Sequence, residues 1–302
     1  MSKISVVGAG RLGSLTAYHL MERRLCDELA LVDVFREKAE GEAIDLRHCI
    51  SSLGRTEIAG SDDYSITDGS DLVIVTAGIP RKPGETRLDL AKNNKKIMEA
   101  VLAGIGKHNK DHMLLIVSNP VDVMTYLAYK RAGLDEGKVF GLGTMLDTMR
   151  LKSELCINFN LKPEKLTAFV LGEHGDSMFP AYSLARYGGR RLSEAKGVTD
   201  AKLEEAFKKV KDSAMEVIKK KGATFYAPTL AVAEVAECII KNQKKTLPLS
   251  TFQKEYGVCI SVPVTAGGDG IAQADYNLTD DEKMKLEHSA GVLKKSIEEV
   301  GI

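Results

Sequence analysis

Ile4-Ser5-Val6-Val7-Gly8-Ala9-Gly10-Arg11-Leu12-Gly13 is an apolar run that breaks into three spaced glycines, and Asp33 stands 20 residues beyond the last of them. The run Ile4 to Val7 is predicted as a buried parallel strand. The three glycines then serve different ends, in turn a tight turn, a close backbone approach to a pyrophosphate, and close packing of helix on sheet. The helix beginning there directs free N–H groups and the positive end of its dipole at the phosphates. A second strand is expected over Leu29 to Val34. It places the Asp33 carboxylate where it can accept both hydroxyls of an adenosine ribose. The glycine pattern alone is a weak signal. The strand before it, the amphipathic stretch Leu15 to Leu25 after it, and an acid at that distance make it a dinucleotide fingerprint.

The alternation continues to about residue 140. Asp71 to Thr76 and Leu114 to Ser118 are predicted as buried strands, Lys138 to Gly141 as a short fifth, and Leu90 to Ile105 as a helix. Strands alternating with helices imply a parallel sheet with right-handed crossovers. The loops after residues 7, 33, 76 and 118 should therefore line one crevice at the carboxyl ends of the strands. Beyond 140 the pattern changes. Helices are expected over Leu142 to Cys156 and Thr199 to Lys221, the latter capped by Gly222, and strands over Leu166 to Leu171 and Gly257 to Val264. A last helix starts at the capping box Thr279-Asp-Asp-Glu282. The expected class is α/β: a Rossmann parallel sheet over 1–141, then an α+β substrate and catalytic domain over 142–302.

The 302 residues carry 42 basic and 42 acidic side chains, so no charge excess points to nucleic acid or an anionic membrane. No apolar run approaches the ~18 residues that span a bilayer. Met1-Ser2-Lys3 leads straight into a strand, so no signal peptide is expected. Five cysteines without a CxxC spacing suit reduced thiols, and a cytoplasmic setting is expected. The scarcity of Asn and Gln beside abundant Lys and Glu leans towards a thermophile.

Three segments carry polar residues in unusual places. Pro80-Arg81-Lys82-Pro83-Gly84-Glu85-Thr86-Arg87 follows the third strand and has the composition of a mobile loop over the crevice. Asp147 and Arg150, three apart on a helix, face one side. His174 lies at a strand end in Gly172-Glu-His-Gly-Asp-Ser177. Together they supply a general acid/base, an acid to orient it and up to three guanidiniums. That set suits hydride transfer to a 2-keto acid: a bidentate arginine for the carboxylate, a cation at the developing oxyanion, and a proton donor of near-neutral pKa. His108 and His112 have an i,i+4 metal-like spacing, but they fall in a polar stretch with no third ligand, so a surface loop and no metal site are expected.

The chain resembles the lactate/malate dehydrogenase family over essentially its whole length. The matching segments are Gly8–Gly13, Thr76–Arg87, Val117-Ser-Asn-Pro-Val-Asp122, Gly143–Arg150 and Gly172–Ser177, and the similarity is greatest to malate dehydrogenases of the lactate-dehydrogenase-like, archaeal type. The resemblance implies an NAD-dependent enzyme interconverting (S)-malate and oxaloacetate in the tricarboxylic acid cycle, assembled as a homodimer or homotetramer. It implies His174 as proton donor and acceptor, Asp147 holding its ring, Arg150 on the substrate's C1 carboxylate and Arg87 polarising the carbonyl. Asn119 would touch cofactor and substrate, and Thr224 is a further expected substrate contact. Gly8, Ala9, Gly10, Arg11, Leu12, Gly13, Asp33, Thr76, Asn94, Val117 and Ser118 complete the expected cofactor site. The position of Arg81 decides substrate: lactate dehydrogenases typically have glutamine there and malate dehydrogenases arginine. The arginine and histidine of sugar-phosphate-activated lactate dehydrogenases are Lys152 and Thr167 here, so no such activation is expected. Asp33 should favour NAD over NADP by repelling a 2′-phosphate, with Arg36 near enough in sequence to soften that repulsion. The alternatives are a lactate dehydrogenase, a metal-dependent glycosidase of the same fold, for which no Cys/His site is found, and a dinucleotide sensor, which has no use for a proton donor.

Overall fold

The computed structural model describes residues 2–80, 84 and 86–302, and of Arg87 the backbone alone. In chain order the first part runs β1 (Lys3–Val7), α1 (Arg11–Glu22), β2 (Glu28–Val32), α2 (Arg36–His48), α3 (Ile50–Leu53), β3 (Glu57–Ser61), β4 (Leu72–Val75), α4 (Arg87–His108), β5 (Met113–Ile116), α5 (Val121–Arg131) and β6 (Val139–Gly141). There follow α6 (Met145–Phe159), the two-residue strands β7 (Leu166–Thr167), β8 (Val170–Leu171), β9 (Phe179–Pro180), β10 (Arg186–Tyr187) and β11 (Arg190–Arg191), then α7 (Asp200–Lys221) and α8 (Tyr226–Ile240). The chain closes with β12 (Lys245–Gln253), β13 (Val258–Gly267), β14 (Gly270–Gln273) and α9 (Asp280–Val300).

One sheet has the order β14-β13-β12-β6-β5-β4-β1-β2-β3. Its parallel part, β3-β2-β1-β4-β5-β6, is the doubly wound order, and the strand direction of travel reverses between β1 and β4, where ligands bind. The central strands of this part are apolar throughout because both faces are covered by helices: Leu72 to Val75 and Leu114 to Ile116 are fully buried. The sheet then changes character. β12, β13 and β14 are antiparallel, and β12 joins β6 through one paired position, Ser250 with Gly141.

That junction is unusually tight. A side-chain carbon at Gly141 would lie 2.1 Å from Thr125 Oγ1, and one at Gly143 would lie 2.3 Å from Ser261 Oγ and 2.7 Å from the Ser250 amide. At Gly143 the obstruction comes from β12 and β13 and at Gly141 mainly from α5, so neither position has room for a larger residue. One continuous apolar core spans the junction, from Ile4 through Phe140 to Val262 and Leu293, while a second core of Leu151, Leu155, Val170, Leu203 and Val210 sits under α7.

The segment Leu166 to Leu171 does not form the single strand expected. β7 pairs with β10 and β8 pairs with β9 in separate small sheets, since the chain turns between Thr167 and Val170 to serve two layers. His112 also departs from expectation. It begins the approach to β5 and is 5% exposed, with both ring nitrogens unpartnered among the described residues. No group of three His, Cys, Asp or Glu side chains suited to a metal ion occurs among the described residues. No helix of the described residues is long and apolar enough to cross a membrane.

Candidate active site

The three glycines after β1 differ in what surrounds them. Gly8 has φ of 105°, and a side-chain carbon there would sit 2.7 Å from the Ala77 amide. One at Gly13 would fall 1.8 Å from the Gly8 carbonyl oxygen, so α1 lies directly on the turn. At Gly10 the space is open, with Lys38 Nζ the nearest group at 4.0 Å. Gly10 is also the N-cap of α1 and supplies no capping side chain, so the first amides of that helix keep their donors for a ligand. The empty space over Gly10 is the room a pyrophosphate needs, and the cradle fits a dinucleotide. Thr76 supports it from the next strand, its Oγ1 donating to the Gly8 carbonyl at 2.9 Å.

Asp33 lies just past β2 and is pinned at both oxygens. Oδ2 accepts the Ala9 amide at 2.8 Å and Oδ1 the Phe35 amide at 3.1 Å. The cation beside it is Lys38, with Nζ 3.6 Å from Oδ2. Arg36 is instead paired with Glu40 at 2.7 Å. Across the cleft, Ser118 Oγ donates to the Ala77 carbonyl at 2.5 Å. Asn94 accepts the Ile79 amide through Oδ1 at 2.9 Å and donates to the Asn119 carbonyl at 2.7 Å. Asn94 thus ties the segment after β4 to the cis Asn119–Pro120 turn that starts α5. Arg11, exposed on α1, lies over the Phe225 ring at 5.6 Å.

The candidate acid/base group is assembled from two elements, α6 and the segment after β8. Asp147 is in the first turn of α6, where a carboxylate is favoured by the free amides. α6 is fastened to β8 by Thr144, whose Oγ1 donates to the Val170 carbonyl at 2.5 Å, and by Thr148, whose Oγ1 accepts the Val170 amide at 2.9 Å. β8 then turns at Gly172, φ 94°, and delivers His174 to Asp147. His174 Nδ1 donates to Asp147 Oδ2 at 2.6 Å, and Arg150 Nη1 donates to Oδ1 at 3.0 Å. The Asp147 side chain is 2% exposed and the His174 ring 24%. With Nδ1 committed, Nε2 is the ring atom left for a ligand.

Burial opposes charge on this ring. The Asp147 carboxylate and its hydrogen bond, with the Asp122 carboxylate behind, outweigh burial and raise the His174 pKa to about 9. Burial likewise works against the charge on Asp147, yet His174 and Arg150 hold its pKa below the usual value.

Leu12, Val117, Asn119, Arg150, His174 and Thr224 all face one cleft of about 350 Å³. With Asp147, seven of the sequence-predicted residues therefore line it, while Asp33, Thr76, Asn94, Ser118 and the glycines after β1 are not part of its lining. Arg81 lies outside the described residues, as does the side chain of Arg87, whose backbone opens α4. The sequence reading gave no role to Asp122. It is 3% exposed, accepts the His174 amide through Oδ2 at 2.7 Å, and leaves Oδ1 unpartnered among the described residues. Burial, offset in part by the hydrogen bond from the His174 amide, pushes its pKa up to about 6. An acid directly after Asn-Pro-Val in a helix's first turn was the available signal.

The fold and this site define a two-part dinucleotide-dependent dehydrogenase. The NAD-binding domain of the lactate/malate dehydrogenases matches residues 2–141, and the α/β C-terminal domain of the same enzymes matches 144–301. The chain belongs to the lactate/malate dehydrogenase family: it is an NAD-dependent 2-hydroxy-acid oxidoreductase. It is 40% identical to an L-lactate dehydrogenase of Clostridium botulinum (strain Hall), over 98% of this chain and 96% of that enzyme. Malate dehydrogenase from Archaeoglobus fulgidus, solved in complex with NADH, superimposes with a TM-score of 0.92 at 39% identity, over 99% of this chain and 100% of that one. A lactate dehydrogenase from a Medee basin deep-sea metagenome library gives a TM-score of 0.95 at 34% identity, covering 100% of this chain and 99% of the other.

Proposed function

We propose that the protein is a malate dehydrogenase, interconverting (S)-malate and oxaloacetate. The observation that carries the reaction type is the His174–Asp147–Arg150 array, with contacts of 2.6 and 3.0 Å in a cleft shared with Asn119 and Thr224. We assign residues 1–141 to the cofactor and 142–302 to the substrate and its proton. NAD, when bound, supplies or accepts the hydride. Gly8 to Gly13 and Asp33 would hold its phosphates and ribose, and Val117 to Asn119 would border its reactive end.

The chain's own residues do the rest. Arg150 is 15% exposed, spends one nitrogen on Asp147, and has further N–H donors for the C1 carboxylate. The protonated His174 ring donates from Nε2 to the carbonyl oxygen during reduction, and the neutral ring takes that proton back during oxidation. Asp147 keeps the ring in the tautomer that exposes Nε2 and stabilises its charge. Arg87, at the first turn of α4, is the proposed partner of the developing oxyanion.

The preference for malate rests on Arg81. A cation about 4 Å from a second carboxylate is worth ~4 kcal/mol at an effective dielectric near 20, or ~10³-fold. With pyruvate the same cation would be enclosed without a partner. The competing reading is L-lactate dehydrogenase, favoured by the name of the Clostridium botulinum relative. The test is NADH oxidation with oxaloacetate and pyruvate in parallel, before and after Arg81→Gln. The parent should prefer oxaloacetate, and the variant should lose ~10²–10⁴ of its oxaloacetate kcat/KM while keeping that for pyruvate. A parent that prefers pyruvate overturns the malate assignment, and a ratio that moves less than about threefold against that estimate shows that Arg81 is not the discriminating residue.

A further inference from the structure

The segment that carries His174 is closed at its base by one hydroxyl from another element. Ser289 lies in the middle of α9 and is fully buried. Its Oγ accepts the Glu173 amide at 3.2 Å. Its single proton is shared between the Ser177 carbonyl oxygen at 2.9 Å and Ser177 Oγ at 2.8 Å. Ser177 Oγ in turn donates to Glu173 Oε2 at 2.5 Å. The bonds thus form a ring that leaves the Glu173 amide, passes through two hydroxyls and returns to the Glu173 carboxylate. Hydroxyls linked in this way polarise one another and hold better than separate pairs.

A serine inside a helix commonly turns its hydroxyl back to the carbonyl four residues earlier. Ser296, further along α9, does so with Val292 at 3.1 Å. Ser289 instead commits its hydroxyl to residues 173 and 177, on either side of the histidine. Two glycines let the ring close. A side-chain carbon at Gly172 would lie 2.6 Å from Ser289 Oγ, and one at Gly175 would lie 2.6 Å from Glu173 Oε1.

Those glycines also make the segment loose in itself, so its position has to be imposed from outside. Three helices impose it. α6 takes the His174 ring through Asp147 at 2.6 Å, α5 takes its amide through Asp122 at 2.7 Å, and α9 takes the residue before it through Ser289. The precision matters, because a reacting group displaced by about 1 Å can lose ~10² in rate.

We propose that Ser289 is a positioning residue for the acid/base step: by closing the loop from Glu173 to Ser177 it sets the reach of His174 to Asp147 and to the substrate carbonyl. This role rests on the acid/base reading of His174 and is independent of which 2-keto acid is reduced. Ser289 is buried and does not line the cleft, so it acts through the histidine and not on the substrate.

The test follows single-turnover NADH oxidation by the intact enzyme across pH, with the better of oxaloacetate and pyruvate. Ser289→Ala should lower the hydride-transfer rate by ~10–10². NADH affinity and the KM for the acid should change less than about threefold. The groups that set the charge of the ring, Asp147 and Arg150 on α6 and Asp122 on α5, are left in place. A loosened contact with Asp147 should still move the alkaline fall of the reduction rate to lower pH. Ser289→Cys puts a weak donor in the same space and should fall between the parent and Ser289→Ala; it carries the test if Ser289→Ala is unstable. The deciding comparison adds Ser289→Ala to His174→Ala. A hydroxyl that acts through His174 then has nothing left to position, so the residual rate should move less than about threefold. A purely structural role gives the same ~10–10² loss in both backgrounds. That result overturns the proposal, as does a serine variant with the parental rate and an unshifted pH profile. If His174→Ala itself turns over near the parental rate, the acid/base reading falls and the proposal with it, a result told apart from a failure of Ser289 alone.

Discussion

At the scale of single residues, the feature with the most chemical consequence is one hydrogen bond, His174 Nδ1 to Asp147 Oδ2 at 2.6 Å. Asp147, with Asp122 behind, overcomes burial and raises the ring pKa to about 9. Reduction needs the protonated ring, so its rate should hold below that value and fall as pH rises through about 9. Oxidation needs the neutral ring and should gain over the same range. Asp147→Asn removes the charge while burial remains, so both limbs should move to lower pH by at least ~1 unit. Unshifted pH profiles in Asp147→Asn would contradict this. His174→Ala should cost ~10²–10⁴ in kcat while NADH binding, followed by fluorescence, persists; near-parental turnover would remove His174 from the mechanism. Much of this site was legible because each residue type has few uses in its setting: a histidine between glycines, and an acid and arginine three apart. Asp122 was not, since what it does is accept a backbone amide, and nothing in an acid's identity announces which amide it will meet.

At the scale of elements, the glycine turn allows a sharp contrast. Gly13→Ala places a carbon 1.8 Å from the Gly8 carbonyl oxygen, a clash with backbone that cannot rotate away. It should destabilise the protein by ~3 kcal/mol or more, the upper end for overpacking. Gly10→Ala meets open space, so thermal unfolding should barely change while NADH affinity drops, because the methyl fills the approach of the pyrophosphate. Equal melting temperatures for the two variants would show that the turn is not held as described. The elements missed by the sequence reading have physical explanations. α5 is buried around most of its first two turns, Val121 to Thr125 and Leu127 to Ala128, so it lacks the polar face that makes a helix periodic. β12 contains Pro248, which argues against a strand. In the sheet Pro248 lies opposite Pro263, and β6 and β14 do not pair alongside either, so neither missing N–H is needed.

At the scale of the whole molecule, His112 couples stability to acid. Burial lowers its pKa from 6.5 to about 4. Between those values the unfolded chain binds more protons than the folded one. Stability is therefore full above about 6.5 and declines as pH falls towards about 4. The loss is at most ~3 kcal/mol. Asp122, with its pKa pushed up to about 6, works in the opposite sense. Urea unfolding at pH ~7 and ~4.5 should show a smaller loss for His112→Leu than for the parent; equal losses would place the acid sensitivity elsewhere.

The glycine-tight seam between β6 and β12 has a consequence for how such an enzyme can change. Gly141 and Gly143 leave no slack between the parallel strands and the antiparallel ones that hold Gly172 through Ser261. The approach of Gly143 to Ser250 and to the Ser261 hydroxyl sets β6 against the antiparallel strands, and Ser261 is bridged to Gly172, two residues before His174. The position proposed to choose among acids, Arg81, lies in a different part of the chain, after β4. A lineage can therefore exchange one substrate for another by altering that segment without retuning the reactive distance beneath it. Engineers have the same freedom: libraries confined to residues 80–86 should yield altered selectivity on an undisturbed catalytic floor, while changes at the seam should cost every substrate alike.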